Sequence, residues 1–180
     1  MIRIWIYLAL WLVWLPVGIL VQHRNPQVMK ARAGWRLKDI LLSLQPLIFV
    51  GLTIHQRSLY FRWTYLGVSL YCAGISLITW VLLINPYAES EVRIQSERGQ
   101  IVVLAGPYRI VRHPLYVGSI LTYVGIALIL GSFLVLGLLV IIVLFFIRRT
   151  VFEDRLLRRE LAGYEQYASR TRYRLIPFVW

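Results

Sequence analysis

Cysteine is nearly absent. Cys72 stands alone in the middle of an apolar run, which excludes a disulfide framework and a cysteine-based metal site. The 3 histidines lie far apart and no His-Glu-x-x-His occurs, so no bound metal is expected. No Gly-x-Gly-x-x-Gly follows a strand-like run, and neither a P-loop nor a Gly-x-Ser-x-Gly elbow is present. Those absences remove Rossmann dinucleotide enzymes, P-loop NTPases and hydrolases of the nucleophile-elbow type. Acidic residues number 8 against 20 lysines and arginines, a net charge of +12. Nucleic acid is not the expected partner, because the basic residues lie in loops between apolar runs. Topology and contact with anionic membrane lipid explain them better.

What the chain has in excess is apolar and aromatic surface. Hydrophobic residues make up 59% of its 180 residues, against roughly 45–50% in soluble domains. The composition therefore predicts an all-α integral membrane protein, a single domain over residues 1–180. Ile4–Val21 is uncharged and reads as a retained first span rather than a cleaved signal, since no small-x-small site follows it. Ile40–Ile54 is shorter and carries Gln45 and Pro46, while Trp63–Ile84 is full length and stops at Asn85-Pro86. The last uncharged run, Val117–Ile147, would reach ~46 Å as one straight helix, too long for an ordinary crossing. Gly131-Ser132 near its middle predicts a helical hairpin.

Charge decides between one crossing and two in that run. With two, there are about five transmembrane helices, and 17 basic residues share one side against 3 on the other. With one, the eight tail arginines change sides and the bias disappears. The positive-inside rule favours five spans, three of them within residues 1–84, with a cytoplasmic face built from residues 85–116 and the tail. The expected location is the membrane, multi-pass.

Two polar stretches then meet at that face. "GPYRIVRHPLYVG" (106–118) places Pro114 at the first turn of a helix and His113 at its cap. Gly118 permits a neighbouring helix to come close. Upstream, "RIQSERGQIVVLAG" (93–106) reads as a connector with a turn at Arg98-Gly99. The tail, from Thr150, reads as an amphipathic cytosolic helix followed by an extended end stopped by Pro177. At ~100° per residue, Glu153, Leu156, Leu157, Glu160, Tyr164 and Tyr167 share one face. Asp154 falls at its edge, and Arg155, Arg158 and Arg159 lie opposite. An acid on the inward face of such a helix needs a specific partner, which marks Glu153 first and Glu160 second. Ion pairing with a nearby arginine is the blander account of both. Arg170, Arg172 and Arg174 suit interfacial anchoring or a bidentate grip on a carboxylate.

Taken together, "GPYRIVRHPLYVG", a hairpin-length apolar run, "ED", the paired tyrosines and "RLIP" resemble the isoprenylcysteine carboxyl methyltransferase family over roughly residues 85–180. Phospholipid N-methyltransferases share this ending, and "RNPQVMKARAGWRLKD" (24–39) is similar to the opening of the bacterial branch. The resemblance implies an integral membrane enzyme that uses S-adenosyl-L-methionine and acts at the cytosolic face. Its acceptor would be the carboxylate of an isoprenylcysteine-like or other lipidic molecule, entering from the bilayer. Carried over by position, the cofactor would touch Arg93, Gln100, Ile101, Val102, Val103, Tyr108, His113, Pro114, Leu115, Tyr116 and Arg174. Glu153 and Arg170 would be catalytic, Arg170 holding the substrate carboxylate, although Arg170 and Arg174 are partly interchangeable in the alignment. The competing readings are a phospholipid or amine N-methyltransferase, and a non-catalytic lipid-binding scaffold of the same fold.

Overall fold

The computed structural model describes residues 5–6, 8–9, 12, 63–89 and 92–180. Ile40–Ile54 and nearly all of Ile4–Val21 lie outside the described residues, so the fold is built here from the last three expected spans and the tail.

Helix α1 runs over Trp63–Ile84, with the bounds expected from its uncharged run. Helix α2, Pro114–Leu130, begins with His113 at the cap and Pro114 in the first turn. Gly131 then takes a left-handed φ of 62° and its N–H bonds to the Ala127 carbonyl at 2.9 Å. This closes α2, because a residue without a Cβ adopts that conformation at little steric cost. Ser132, almost fully buried, caps the next helix by accepting from the Val135 N–H. The two residues thus make the hairpin turn.

Helix α3, Phe133–Glu160, is 28 residues long, about 42 Å at 1.5 Å per residue. Its apolar part ends at Ile147, and Arg148 opens a polar extension. Trp63–Ile84 and Leu134–Glu160 are each long and apolar enough to cross a membrane. Val140, Ile141, Leu144 and Phe145 face outward from α3, as lipid contact requires.

Helices α1 and α2 pack antiparallel through two glycine pairs spaced seven residues apart. A Cβ on Gly67 would lie 2.9 Å from the Gly125 carbonyl, and one on Gly74 would lie 2.7 Å from that of Gly118. Small residues let the backbones touch where hydrophobic burial gives no driving force. Tyr71, Ile126, Ala127, Ile129, Leu130 and Val135 form the core beside them.

The tail departs from the expected single helix. Leu161 ends α3, Gly163 takes a φ of 79°, and a short helix α4 starts afresh at Tyr164–Arg170. The interruption resets the helical wheel. Glu160, expected inward, is exposed, whereas Tyr164 and Tyr167 are buried through the new helix. Among the described residues there are no strands, and one isolated parallel bridge joins Val111 to Tyr173.

Candidate active site

The connector after α1 is a hydrogen-bonded structure, not a slack loop. Gln95 is almost fully buried and donates from Nε2 to the Tyr87 carbonyl at 2.8 Å. Arg98 donates to the Pro86 carbonyl at 2.7 Å, to Gln95 Oε1, and pairs with Glu89 at 3.2 Å. Gly99 follows in a left-handed conformation, the expected turn. Arg93 pairs with Glu89 at 3.3 Å and with Glu97. Asn85, just after α1, donates from Nδ2 to the Tyr108 hydroxyl at 2.5 Å. The connector is thereby fixed over the start of α2.

Between the connector, the start of α2, the polar end of α3 and α4 lies a cleft of about 810 Å³, counting its open mouth. Arg93, Gln100, Ile101, Val102, Val103, Tyr108, His113, Leu115, Tyr116 and Glu153 line it, as do Asn85, Tyr87, Glu89, Arg112, Leu156, Leu157, Leu161, Tyr164 and Tyr167. Tyr116 donates its phenolic hydrogen bond to Glu153 and accepts one from Arg149 Nε at 2.7 Å. Its ring stacks on His113 with centroids 5.8 Å apart. Three of the expected residues stand elsewhere. Pro114 is buried as the first residue of α2, Arg174 sits behind the wall, and Arg170 is exposed on α4.

Behind that wall is a charge cluster that a helical wheel cannot reveal. The Asp154 side chain is solvent-free. Its Oδ1 accepts from the Tyr164 hydroxyl at 3.0 Å and lies 3.1 Å from Arg112 Nε and 3.6 Å from His113 Nε2. Its Oδ2 accepts from Arg158 Nε and Arg174 Nε, both at 3.2 Å. One carboxylate thus joins α3, the loop before α2, α4 and the tail. The contact with Arg112 is electrostatic, and neither Arg112 Nε nor His113 Nε2, both buried, has an aligned hydrogen-bond partner. Backbone bonds from Arg112 N to the Tyr173 carbonyl at 2.9 Å and from His113 N to the Arg174 carbonyl at 3.0 Å hold the tail alongside.

Tyr108, Tyr164 and Tyr167 hold their phenolic protons more tightly than a free tyrosine. Burial, reinforced by the nearby Glu153 charge, pushes Tyr108 up to about 12. Tyr164 is raised further, by burial and then by Asp154, and Tyr167 by burial and then by Tyr108. Arg112 is pulled down by burial against the opposing pull of Asp154.

Two helices long and apolar enough to cross a membrane, α1 and α3, carry a polar cleft at their shared end, as a membrane protein would. The chain belongs to the phospholipid methyltransferase family, whose model matches residues 62–162, or 101 of the 180 residues. The match takes in α1, the connector, α2 and α3, and stops before α4 and the tail. No curated protein matches the chain significantly.

Proposed function

We propose that the protein is an S-adenosyl-L-methionine-dependent methyltransferase acting on a lipidic acceptor at the cytoplasmic membrane surface. The acceptor group we favour is a carboxylate, as in an isoprenylcysteine-like acid. The observation that carries the reading is the cleft itself, where Glu153 and Tyr116 face the connector segment 100–103 beside buried Arg112 and His113. The donor set fits the cofactor. Glu89 and Glu153 suit its positive charges, Arg93 suits its carboxylate, and Tyr87 and Tyr108 suit a purine face.

When bound, S-adenosylmethionine supplies a methyl carbon already activated by its sulfonium. The chain's own residues then have to orient and desolvate rather than abstract a proton, because a carboxylate acceptor is ionised at neutral pH. Leu115, Leu156, Leu157 and Leu161 line the cleft with apolar surface that keeps water from the nucleophile. Tyr116, held between Glu153 and Arg149, fixes the carboxylate of Glu153 in the cleft.

One observation favours a second acceptor. Arg170 is exposed and lines no part of the cleft, while Glu153 does. An amine, as in a phospholipid headgroup, would find in Glu153 a group to receive its proton. Incubation of the purified protein with membrane lipids and methyl-labelled S-adenosylmethionine tests both. Base-labile label released as volatile methanol marks a methyl ester, and base-stable label in the lipid marks an N-methyl product. Absence of S-adenosylhomocysteine binding by folded protein would remove the cofactor reading altogether.

A further inference from the structure

The turn that follows the cleft's last residues has a feature the methyl-transfer reading does not use. Ile176, Phe178 and Val179 are exposed by 56%, 88% and 75%. They do not belong to a loose end. The N–H groups of Arg174, Leu175 and Ile176 all donate to the Trp180 carbonyl oxygen, at 2.9, 3.1 and 3.1 Å, and Arg174 lies over the Trp180 ring at 5.3 Å. Phe178 has a φ of 66°, the only positive value at a non-glycine residue among those described. A bulky residue takes that conformation at a cost, and here it accompanies an aromatic side chain facing outward.

The position of the turn says what meets it. Tyr173 and Arg174 are bonded to the backbone of Arg112 and His113, immediately before α2. Ile110, also exposed, adjoins the bridged Val111. The turn therefore stands where the apolar surface of the helices gives way to water. Its flank carries exposed Arg170 and Arg172, and no acidic residue occurs after Glu165. Exposed apolar side chains on a fixed turn, beside the exposed Arg170 and Arg172, match the chemistry of an anionic bilayer interface.

We propose that the Ile176–Val179 turn inserts into the headgroup boundary of the bilayer and anchors the tail there. Because Arg174 joins this turn to Asp154, the anchor holds the wall of the cleft from the membrane side. The inference stands on exposure and position and is independent of the reaction catalysed.

The test uses the full chain, reconstituted in vesicles of phosphatidylcholine with and without phosphatidylglycerol. In a Cys72→Ser background, Phe178→Cys and Val179→Cys are labelled with an environment-sensitive fluorophore, with exposed Ser96→Cys as the solvent reference. Insertion predicts several-fold stronger quenching by nitroxide-bearing lipid at 178 and 179 than at 96, several-fold weaker quenching by aqueous iodide, and a further gain with phosphatidylglycerol. Iodide quenching equal to that at 96 overturns the proposal. Shielding from both quenchers that disappears on dilution with excess lipid also overturns it, and points to a second copy covering the turn.

Discussion

The carboxylate of Asp154 and the guanidinium of Arg112 lie 3.1 Å apart, with side chains 0% and 4% exposed. Removing Asp154 alone leaves the buried Arg112 charge uncompensated, whereas Asp154 without Arg112 still has Arg158 and Arg174. Asp154→Ala is expected to cost about 3–5 kcal/mol, the usual penalty for breaking a buried pair. Arg174 and Arg158 would lose their shared acceptor at the same time. Replacing both members, as Asp154→Ala with Arg112→Met, should cost less than Asp154→Ala alone, because the orphaned charge is gone. Thermal unfolding in detergent compares the two. A double variant less stable than the single one would show that Arg112 is not held by Asp154.

Tyr116 bridges Glu153 and Arg149, so Tyr116→Phe removes one hydroxyl and leaves the ring stacked on His113. A hydrogen bond to a charged group contributes about 1.5–3 kcal/mol. If the cleft takes the cofactor as proposed, S-adenosylhomocysteine binding should weaken by about tenfold because Glu153 is no longer held in place, and the lost intramolecular bond should also lower the unfolding temperature by a few degrees. Glu153→Gln should weaken it similarly, and Glu160→Gln should not, since Glu160 is exposed. Equal loss in all three variants by calorimetric titration would speak against a site at Glu153.

Much of this was legible in the sequence wherever the signal was local. Gly131-Ser132 marked the hairpin because a left-handed glycine and a serine cap are short-range chemistry. Pro114 likewise located the start of α2. Glu160 was placed inward by a wheel centred on Glu153, but it is the last residue of α3, where the helix ends in a turn, and it is exposed. Asp154 sat at the edge of that wheel. Its burial depends on Arg112, 42 positions earlier, and on Arg174, 20 positions later. Only the folded tail brings those charges together. The same limit applies to Arg170, whose place in an aligned motif says nothing about which way a seven-residue helix turns it.

The alkaline limb of the stability profile should carry a tyrosine signature. Tyr108 is raised to about 12, against about 10 for an unfolded tyrosine. The folded state holds this proton more tightly, so the contribution is complete below about pH 10 and is lost as pH rises through the folded value. Tyr108→Phe should therefore flatten part of the fall in unfolding temperature over that window. Tyr164 and Tyr167, both raised, leave the remainder. An unchanged slope would mean that Tyr108 ionises as freely in the folded protein as in the unfolded chain.

The helix pair that carries the cleft should be intolerant of a single methyl group. A Cβ at Gly125 would sit 2.6 Å from the Tyr71 nitrogen and 2.7 Å from the Gly67 carbonyl, both backbone atoms that cannot rotate away. Gly125→Ala then forces α1 and α2 apart, which costs about 1–3 kcal/mol by the usual scale of overpacking. Gly137 on α3 provides the contrast, because a Cβ there meets nothing within 4 Å. Gly137→Ala should be neutral or stabilising by about 0.5–1 kcal/mol, as expected for replacing a helical glycine. Unfolding temperatures of the two variants in the same detergent separate close packing from a general effect of added bulk. Because α2 begins at His113 and Pro114, displacing it should also weaken whatever the cleft binds. A Gly125→Ala protein with unchanged stability and unchanged ligand affinity would show that the two helices are not in backbone contact.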